Sequence, residues 1–161
     1  MRRLCTTLSI SIALAGHAHA FCFEEAGLRY NLPPQLIWSI SKMESRLDAT
    51  AVNYNTNGTY DYGLMQINTT HAEDLRLAGI PWESLSDPCT NVMVGSWLLS
   101  KRINEYGYNW RAIGSYHSKT PSKRDRYAAN ISKILSGLNN TEKRRQPATT
   151  RQSVPDERTS R

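Results

Sequence analysis

The sequence predicts a mainly helical domain with a minor β element. Apolar residues recur at helical spacing in several segments, most regularly in the last, where Tyr127, Ile131, Ile134 and Leu138 share one face. Capping residues and helix breakers separate these segments. Residues 51–60 instead are rich in asparagine, threonine and glycine, without helical spacing. This stretch is expected to be a loop or a short hairpin.

Two helices are expected at the N-terminal end of the domain. The first begins just after Cys22 and runs to Tyr30, where Asn31 and the following Leu-Pro-Pro break it. The second begins at Pro34, because proline suits the first turn of a helix, and its apolar spacing continues to Leu47. Both helices therefore precede the asparagine-rich stretch.

Glu44 is an acidic residue on the apolar face of the second helix. It follows Ile40 by four residues and Ile37 by seven, so it points into the same stripe. Burial and the nearby C-terminal end of the helix both disfavour its charged form, which would suit a general acid. The alternative is an edge glutamate that reaches solvent or pairs with Lys42 or Arg46. The spacing leaves both interpretations open.

The middle of the chain carries weaker signals. Residues 62–67 are predicted to form a short strand or a tight turn. Thr70 with Glu73 predicts a capping box for a helix that Gly79 ends.

Three further helices are expected in the C-terminal half. Asp87 followed by Pro88 is a strong start for a helix, and Gly107 is its stop. The later caps are Asn109, before a short helix over residues 110–116, and Ser122 with Asp125, before the last helix.

The chain divides into three parts. Residues 1–20 have a basic start, an apolar run too short to span a bilayer and an Ala-His-Ala ending, which predict a signal peptide cut after Ala20. Residues 21–138 form the expected domain, with 12 basic and 11 acidic residues, a net charge of +1. Residues 139–161 hold 6 basic and 3 acidic residues and too few apolar ones to fold, so we expect a disordered basic tail. We therefore expect an exported protein without membrane insertion after signal cleavage.

The residue inventory excludes several chemistries. The body has two histidines, His71 and His117, and no metal-ligand spacing, so no metal is expected. A glycine-rich phosphate loop is absent from the sequence, and the nearly neutral exported body argues against nucleic-acid binding. Cys22 and Cys89 remain after signal cleavage and are expected to form a disulfide, the alternative being two buried thiols. Acid-led cleavage by Glu44 is the chemistry that remains.

Four short motifs in order resemble the soluble lytic transglycosylase family. They are Glu44-Ser45, Gly63-Leu64-Met65-Gln66-Ile67, Gly114-Ser115-Tyr116-His117 and Arg126-Tyr127-Ala128. A further run, Asp87-Pro88-Cys89-x-Asn91 with Gly95, resembles the small exported members attached to type III and type IV secretion, conjugation and pilus systems. The resemblance covers about residues 22–137 and implies a lysozyme-like fold.

The resemblance also implies a reaction. Members of this family cleave the β-1,4 bond between N-acetylmuramic acid and N-acetylglucosamine in peptidoglycan. By this resemblance, Glu44 protonates the glycosidic oxygen and then acts as base toward the muramic C6 hydroxyl, giving a 1,6-anhydro end. No cofactor is implied. The expected setting is a periplasmic monomer that acts on glycan strands and meets components of an envelope-spanning apparatus.

Roles for the other motif residues follow from the same resemblance. Ser45 would orient an acetamido or lactyl group, the alternative being a serine bonded to helix backbone. Tyr116 would contact the sugar at the cleavage point. Tyr127 would hydrogen-bond or orient Glu44, the alternative being a plain core tyrosine.

The second motif is expected to line the substrate. Gly63 would allow close backbone approach to the glycan, Met65 would pack beneath a sugar, and the Gln66 amide would bond an N-acetyl group. The third motif departs from the family at His117, where asparagine is usual. Histidine titrates near neutral pH, so we hypothesise that His117 makes activity pH-dependent.

Two other functions compete with this one. A hydrolytic lysozyme of the same fold would need a second carboxylate to activate water, for which Asp61 is the best candidate. The other is a wall-binding assembly factor with dispensable catalysis, for which the basic tail would provide a partner contact.

Overall fold

The computed structural model describes residues 21–145, and the mainly helical prediction is confirmed. The expected signal peptide and residues 146–161 lie outside the described residues. In chain order, the elements are α1 (Phe23–Tyr30), α2 (Pro34–Ser45), β1 (Val52–Tyr54), β2 (Tyr60–Tyr62), β3 (Ile67–Asn68), α3 (Ala72–Leu77), α4 (Pro88–Tyr106), α5 (Trp110–His117) and α6 (Pro121–Arg145), with 3₁₀ turns at Thr69–His71 and Trp82–Ser86.

The core forms where α4 and α6 pack against α1, α2 and α5. Ile37 and Ile40 of α2 are fully buried in it, beside Leu99 of α4 and Ile131 of α6. The apolar stripe read from the sequence is therefore the buried face of α2. Glu44 continues that stripe at the C-terminal end of α2, where the helix leaves the core and meets the polar residues of the sheet.

The asparagine-rich stretch is a hairpin in a three-stranded antiparallel sheet of order β1-β2-β3. The central residue of β2, Asp61, lies opposite Asn53 of β1 and opposite Asn68 of β3. Partner residues in register point to the same face of a sheet, so these three polar side chains share one face. Residues 63–66 form a turn, not a strand, between β2 and β3.

Two of the four predicted helix caps are confirmed and two are wrong. Asp87 accepts from the Thr90 N–H at 2.7 Å, and Asn109 accepts from the Ala112 N–H at 3.0 Å. The Thr70 capping box does not form, because the Asn68 side chain accepts from the Thr70 N–H and α3 begins only at Ala72. Its expected partner, Glu73, is paired with Arg76, and Gly79 follows the end of α3 in a left-handed conformation.

The last helix departs from expectation at both ends. It begins at Pro121, so Ser122 lies within its first turn, and Asp125 pairs with Arg124 instead of closing a capping box. It continues to Arg145, past the expected domain boundary at residue 138. Over the described range, no helix combines the length and apolar character needed to span a bilayer.

The predicted disulfide joins Cys22, just before α1, to Cys89 in the first turn of α4. Their Cα atoms lie 5.2 Å apart, and the cysteines are 67 residues apart in sequence. The bond ties the N-terminal helix to the long central helix, so the alternative of two free thiols does not apply.

Removing this cross-link should destabilise the domain without touching the groove described below. In the chain-entropy model, closing a loop of this length lowers the entropy of the unfolded chain and so raises its free energy by roughly 4 kcal/mol. We expect Cys22→Ser with Cys89→Ser to lower the free energy of unfolding by about 2 to 4 kcal/mol, measured by urea denaturation. The wild-type protein unfolded in reductant is the matched control and should show the same loss. A double variant as stable as the oxidised protein would contradict the expectation.

Candidate active site

A groove with a volume of about 680 Å³ runs between the sheet and the helices. Its sheet side is lined by polar residues that include Asn53, Asp61 and Asn68. Its helical side includes Glu44 at the end of α2 and Tyr116 at the end of α5. Two acidic side chains, Glu44 and Asp61, therefore lie in a groove whose wall is made mostly of uncharged hydrogen-bonding groups, a surface suited to a polar polymer.

The Glu44 carboxyl is held by burial and by one hydrogen bond. The Tyr127 hydroxyl donates to Glu44 Oε1 at 2.6 Å. Burial raises the pKa of Glu44 from 4.5 to about 7; the Tyr127 bond opposes this rise and the Asp61 charge adds to it. Among the ion pairs of the described residues, none joins Glu44 to Lys42 or Arg46. The interpretation as a snorkelling or ion-paired edge residue is therefore wrong, and Glu44 has the protonation equilibrium of a general acid near neutral pH.

Two buried phenols frame this acid. Tyr127 comes from α6 and is only 4% exposed. Desolvation raises the pKa of both Tyr116 and Tyr127 well above the usual range, and the charge of Glu44 adds to it. The Tyr116 hydroxyl donates to the Met65 carbonyl at 2.8 Å. Both phenols therefore act as hydrogen-bond donors at neutral pH, one to the acid and one to the turn at 63–66.

Gly63 makes room for a protein side chain. Its φ is +78°, and a Cβ at this position would lie 2.1 Å from Nδ2 of Asn91. The Asn91 amide donates to the Tyr62 and Leu85 carbonyls at 3.0 and 3.3 Å, and it accepts from the Met65 N–H at 2.9 Å. The expectation that Gly63 admits the glycan is thus corrected: the close approach belongs to Asn91.

Met65 and Ser45 also turn inward. Met65 is fully buried, and its side chain fills the space left by Gly95, so it supports the groove floor from below and does not reach the surface. The Ser45 hydroxyl lies 2.9 Å from the Leu64 carbonyl and 3.1 Å from the Ser41 carbonyl. Ser45 therefore takes the backbone-bonded alternative, which fastens the end of α2 to the turn.

Gln66 is the residue of the turn whose side chain lines the groove. It adopts a left-handed φ of +49°, an uncommon conformation for a residue with a side chain. Its amide nitrogen donates to the Gly63 carbonyl at 2.9 Å and the Ala51 carbonyl at 3.1 Å. Because both N–H donors are engaged, the amide presents its oxygen to a ligand as an acceptor.

Asp61 is a fixed charge in the groove wall. Its Oδ1 accepts from Asn68 at 2.6 Å, and its Oδ2 accepts from Asn55 at 3.0 Å. The alternation Tyr60-Asp61-Tyr62 was a signal that could have placed Asp61 on the polar face of a strand, but its two amide partners come from separate segments. The role of Asn91 was missed for the same reason, although Asn91 belongs to the run that begins at Asp87.

His117 lies against the phenol that holds the acid. Its ring stacks on that of Tyr127 with centroids 4.9 Å apart and planes 2° from parallel. Burial and the charge of Lys123 lower the pKa of His117, while Asp61 opposes them. The imidazole is therefore neutral at pH 7 and gains its charge on the acid side.

Replacing His117 with asparagine should flatten the acid limb of the pH–activity profile. Below its pKa, the imidazolium adds positive charge near Glu44 and favours the ionised carboxylate, which cannot donate a proton. We expect the variant to be up to about twofold more active than wild type at pH 5, with little difference at pH 7. Identical profiles for the two proteins would contradict a titrating role for His117.

Removing the Tyr127 hydroxyl should move the alkaline limb instead. The Tyr127→Phe change deletes the bond that lowers the pKa of Glu44, so this pKa should rise further and the acid form should persist to higher pH. We expect a shift of the alkaline inflection to higher pH, with the rate at pH 6 reduced about tenfold because the acid is less well oriented. Tyr30→Phe, on α1 and outside the groove, is the control. An unshifted inflection in Tyr127→Phe would contradict the assignment.

The mainly helical fold, with Glu44 in its groove, is that of the transglycosylase class. The family model of the transglycosylase SLT domain matches residues 21–135, and the chain belongs to this family. Protein IpgF of Shigella flexneri is 42% identical over 106 residues, covering 65% of this chain and 70% of that protein. Invasion protein IagB of Salmonella typhimurium is 39% identical over 119 residues, covering 71% and 74%.

Two further comparisons agree. The X polypeptide of Escherichia coli K12 is 34% identical over 142 residues, covering 84% of this chain and 83% of its own. The solved structure of an inactive mutant of the lytic transglycosylase Slt from Pseudomonas aeruginosa matches with a TM-score of 0.63 at 19% identity. It covers 81% of this chain, which in turn spans 25% of the Slt chain. The predicted lysozyme-like fold and family are confirmed, and the family supports a transglycosylase enzyme.

Proposed function

We propose that this protein is an exported lytic transglycosylase that cleaves the β-1,4 bond between N-acetylmuramic acid and N-acetylglucosamine in peptidoglycan. The observation that carries the proposal is the Glu44 carboxyl, with its pKa of about 7, facing a groove lined mostly by uncharged polar groups. Membership of the transglycosylase SLT domain family supports the reaction class. The protein acts as a periplasmic monomer without a cofactor.

The chemistry needs one carboxyl group in two protonation states. Protonated Glu44 donates its proton to the glycosidic oxygen as the bond from that oxygen to muramic C1 breaks. The resulting carboxylate then takes the proton of the muramic C6 hydroxyl, whose oxygen bonds to C1. Glu44 regains its proton, no water is consumed, and a 1,6-anhydro end is formed. A pKa near 7 suits both steps, because neither protonation state is strongly disfavoured.

The groups around Glu44 support its two roles as acid and base. The bond from Tyr127 orients Oε1 of Glu44. The Gln66 oxygen is free to accept the N–H of an N-acetyl group, and Tyr116 holds the turn that carries Gln66. The fixed negative charge of Asp61 favours the positive charge that develops on the sugar ring as the bond breaks.

Hydrolysis is the second candidate, and one observation bears on it. Both oxygens of Asp61 accept amide N–H groups, from Asn55 and Asn68. This anchoring suits a stationary charge better than a base that must take a proton from water. We therefore favour ring closure by the internal hydroxyl.

Mass spectrometry of digested peptidoglycan tests the proposal. The protein, expressed without residues 1–20, is incubated with purified sacculi, and the released fragments are analysed without prior reduction. We expect 1,6-anhydromuramyl ends. Reducing ends would identify a hydrolase instead, and intact sacculi would refute an enzymatic role.

We further propose that the enzyme opens the wall locally for an envelope-spanning secretion, conjugation or pilus apparatus. The similarity to invasion protein IagB supports this setting. A strain that carries Glu44→Gln separates catalysis from scaffolding. Loss of apparatus assembly in that strain would support local wall opening, whereas normal assembly would favour an assembly factor with dispensable catalysis.

A further inference from the structure

Two basic side chains in the groove have no role in the acid chemistry. Arg102 lies on α4, four residues after Leu98, and both line the groove. Lys119 lines it from the segment between α5 and α6. Among the described lining residues, these are the lysine and arginine side chains, Glu44 and Asp61 are the acidic ones, and the remainder of the wall is mostly uncharged and polar.

One acidic residue holds both cations in place. Glu105 Oε2 pairs with Arg102 Nη1 at 2.9 Å, and Glu105 Oε1 pairs with Lys119 Nζ at 3.4 Å. Glu105 is not among the described lining residues, so it holds the cations from outside the groove. Two positive charges against one negative charge leave this cluster with a net charge of +1, and the positive members face the groove.

The cluster keeps unused donors for a second anion. Among the described residues, Arg102 contacts Glu105 through Nη1, which leaves Nε and Nη2 of the guanidinium fork. The Lys119 ammonium has three donors, and within the described part of the chain one of them contacts Glu105. Arginine binds carboxylates through two parallel N–H bonds, so this arrangement is suited to a planar carboxylate.

The sugar rings of the glycan strand carry no free carboxylate, but the substituents of the muramic acid residues do. Each muramic acid bears a lactyl group to which a short peptide stem is attached, and that stem has free carboxylates. N-acetylglucosamine has none. A cationic cluster inside a groove for glycan strands is therefore positioned to bind a carboxylate of the stem.

We propose that Arg102 and Lys119 form a subsite for a carboxylate of the peptide stem, so that the enzyme selects strands whose stems are present and charged. This inference rests on the proposed function, since it assigns part of the same substrate to the same groove. The cluster acts in binding and leaves proton transfer to Glu44.

Chemically matched substrates test the subsite. Native glycan strands are compared with strands whose stem carboxylates have been converted to carboxamides by carbodiimide and excess ammonium, which removes the charge and keeps the stem. We expect kcat/KM of the wild-type enzyme to be about five- to tenfold higher on native strands. The preference should shrink as KCl is raised, because salt screens exposed charges.

Three variants separate the subsite from general charge effects. Arg102→Gln with Lys119→Gln should cleave both substrates at similar rates. Glu105→Gln removes the competing anion and should enlarge the preference for native strands, a gain that misfolding does not produce. Arg76→Gln is the matched control, because Arg76 forms the same i,i+3 pair with Glu73 on α3, outside the groove. It should keep the wild-type preference.

The outcomes distinguish this subsite from the proposed function. Failure of the wild-type enzyme to cleave either strand would refute the proposed function and the subsite with it. Equal cleavage of both strands would overturn the subsite alone. A preference that survives in the double glutamine variant, or that is lost equally in Arg76→Gln, would also overturn it.

Discussion

Glu44→Gln should reduce transglycosylase activity by about 10³-fold or more. The change removes the proton donor for the glycosidic oxygen and also the base for the C6 hydroxyl, and each role typically contributes 10²–10⁴-fold. Glutamine keeps the size of the side chain and can still accept the Tyr127 hydrogen bond through its oxygen. Release of 1,6-anhydromuramyl products from sacculi is the measurement. A variant within tenfold of wild type would remove Glu44 from the mechanism.

The same change should stabilise the fold at alkaline pH. The folded-state pKa of Glu44, about 7, exceeds its ordinary value of 4.5, so the native state binds this proton more tightly than the unfolded chain. Stability therefore falls as pH rises between these two values and stays reduced above them, by up to about 3 kcal/mol. Glutamine has no such penalty.

We accordingly expect Glu44→Gln to exceed wild type in free energy of unfolding by about 2 to 3 kcal/mol at pH 8 and to match it at pH 4. Urea denaturation at the two pH values measures this difference. Glu83→Gln, at an exposed position outside the groove, is the control and should differ little from wild type at either pH. A destabilised Glu44→Gln protein at pH 8 would show that the carboxylate is not buried as described.

Features set by neighbouring residues were predictable from the sequence. The apolar stripe of α2 predicted that Glu44 points toward the core, because side chains three and four residues apart share a helix face, although the spacing alone also allowed an edge position. Asp87 and Asn109 cap their helices for a similarly local reason. The Thr70 cap failed through a local competitor, since Asn68 stands two residues earlier and takes the same N–H group.

The interior support of the groove was not predictable in this way. Motif resemblance assigned Gly63, Met65 and Ser45 to the substrate, whereas all three serve the packing beneath it. The steric need for Gly63 comes from Asn91, whose partners Met65 and Tyr62 are 26 and 29 residues away in sequence. Spacing within one helix or strand carries no information about contacts over such separations.

That support makes Asn91→Leu the substitution with the largest expected effect on stability. Leucine has the same branched arrangement of side-chain heavy atoms but cannot accept from the Met65 N–H or donate to the Tyr62 and Leu85 carbonyls. Three backbone groups would lose their partner at a position that is 1% exposed. Each buried group left without a partner costs about 1 to 3 kcal/mol, so we expect a total loss of roughly 3 to 9 kcal/mol.

A second buried polar residue on α4 provides the control. Ser96 is also fully buried, yet within the described part of the chain its hydroxyl has no hydrogen-bond partner. Ser96→Ala should therefore change the free energy of unfolding by less than about 1 kcal/mol. Urea denaturation of the two variants compares loss of a bonded amide with loss of an unbonded hydroxyl in one helix. Equal effects would mean that burial alone, and not the three bonds of Asn91, determines the cost at these sites.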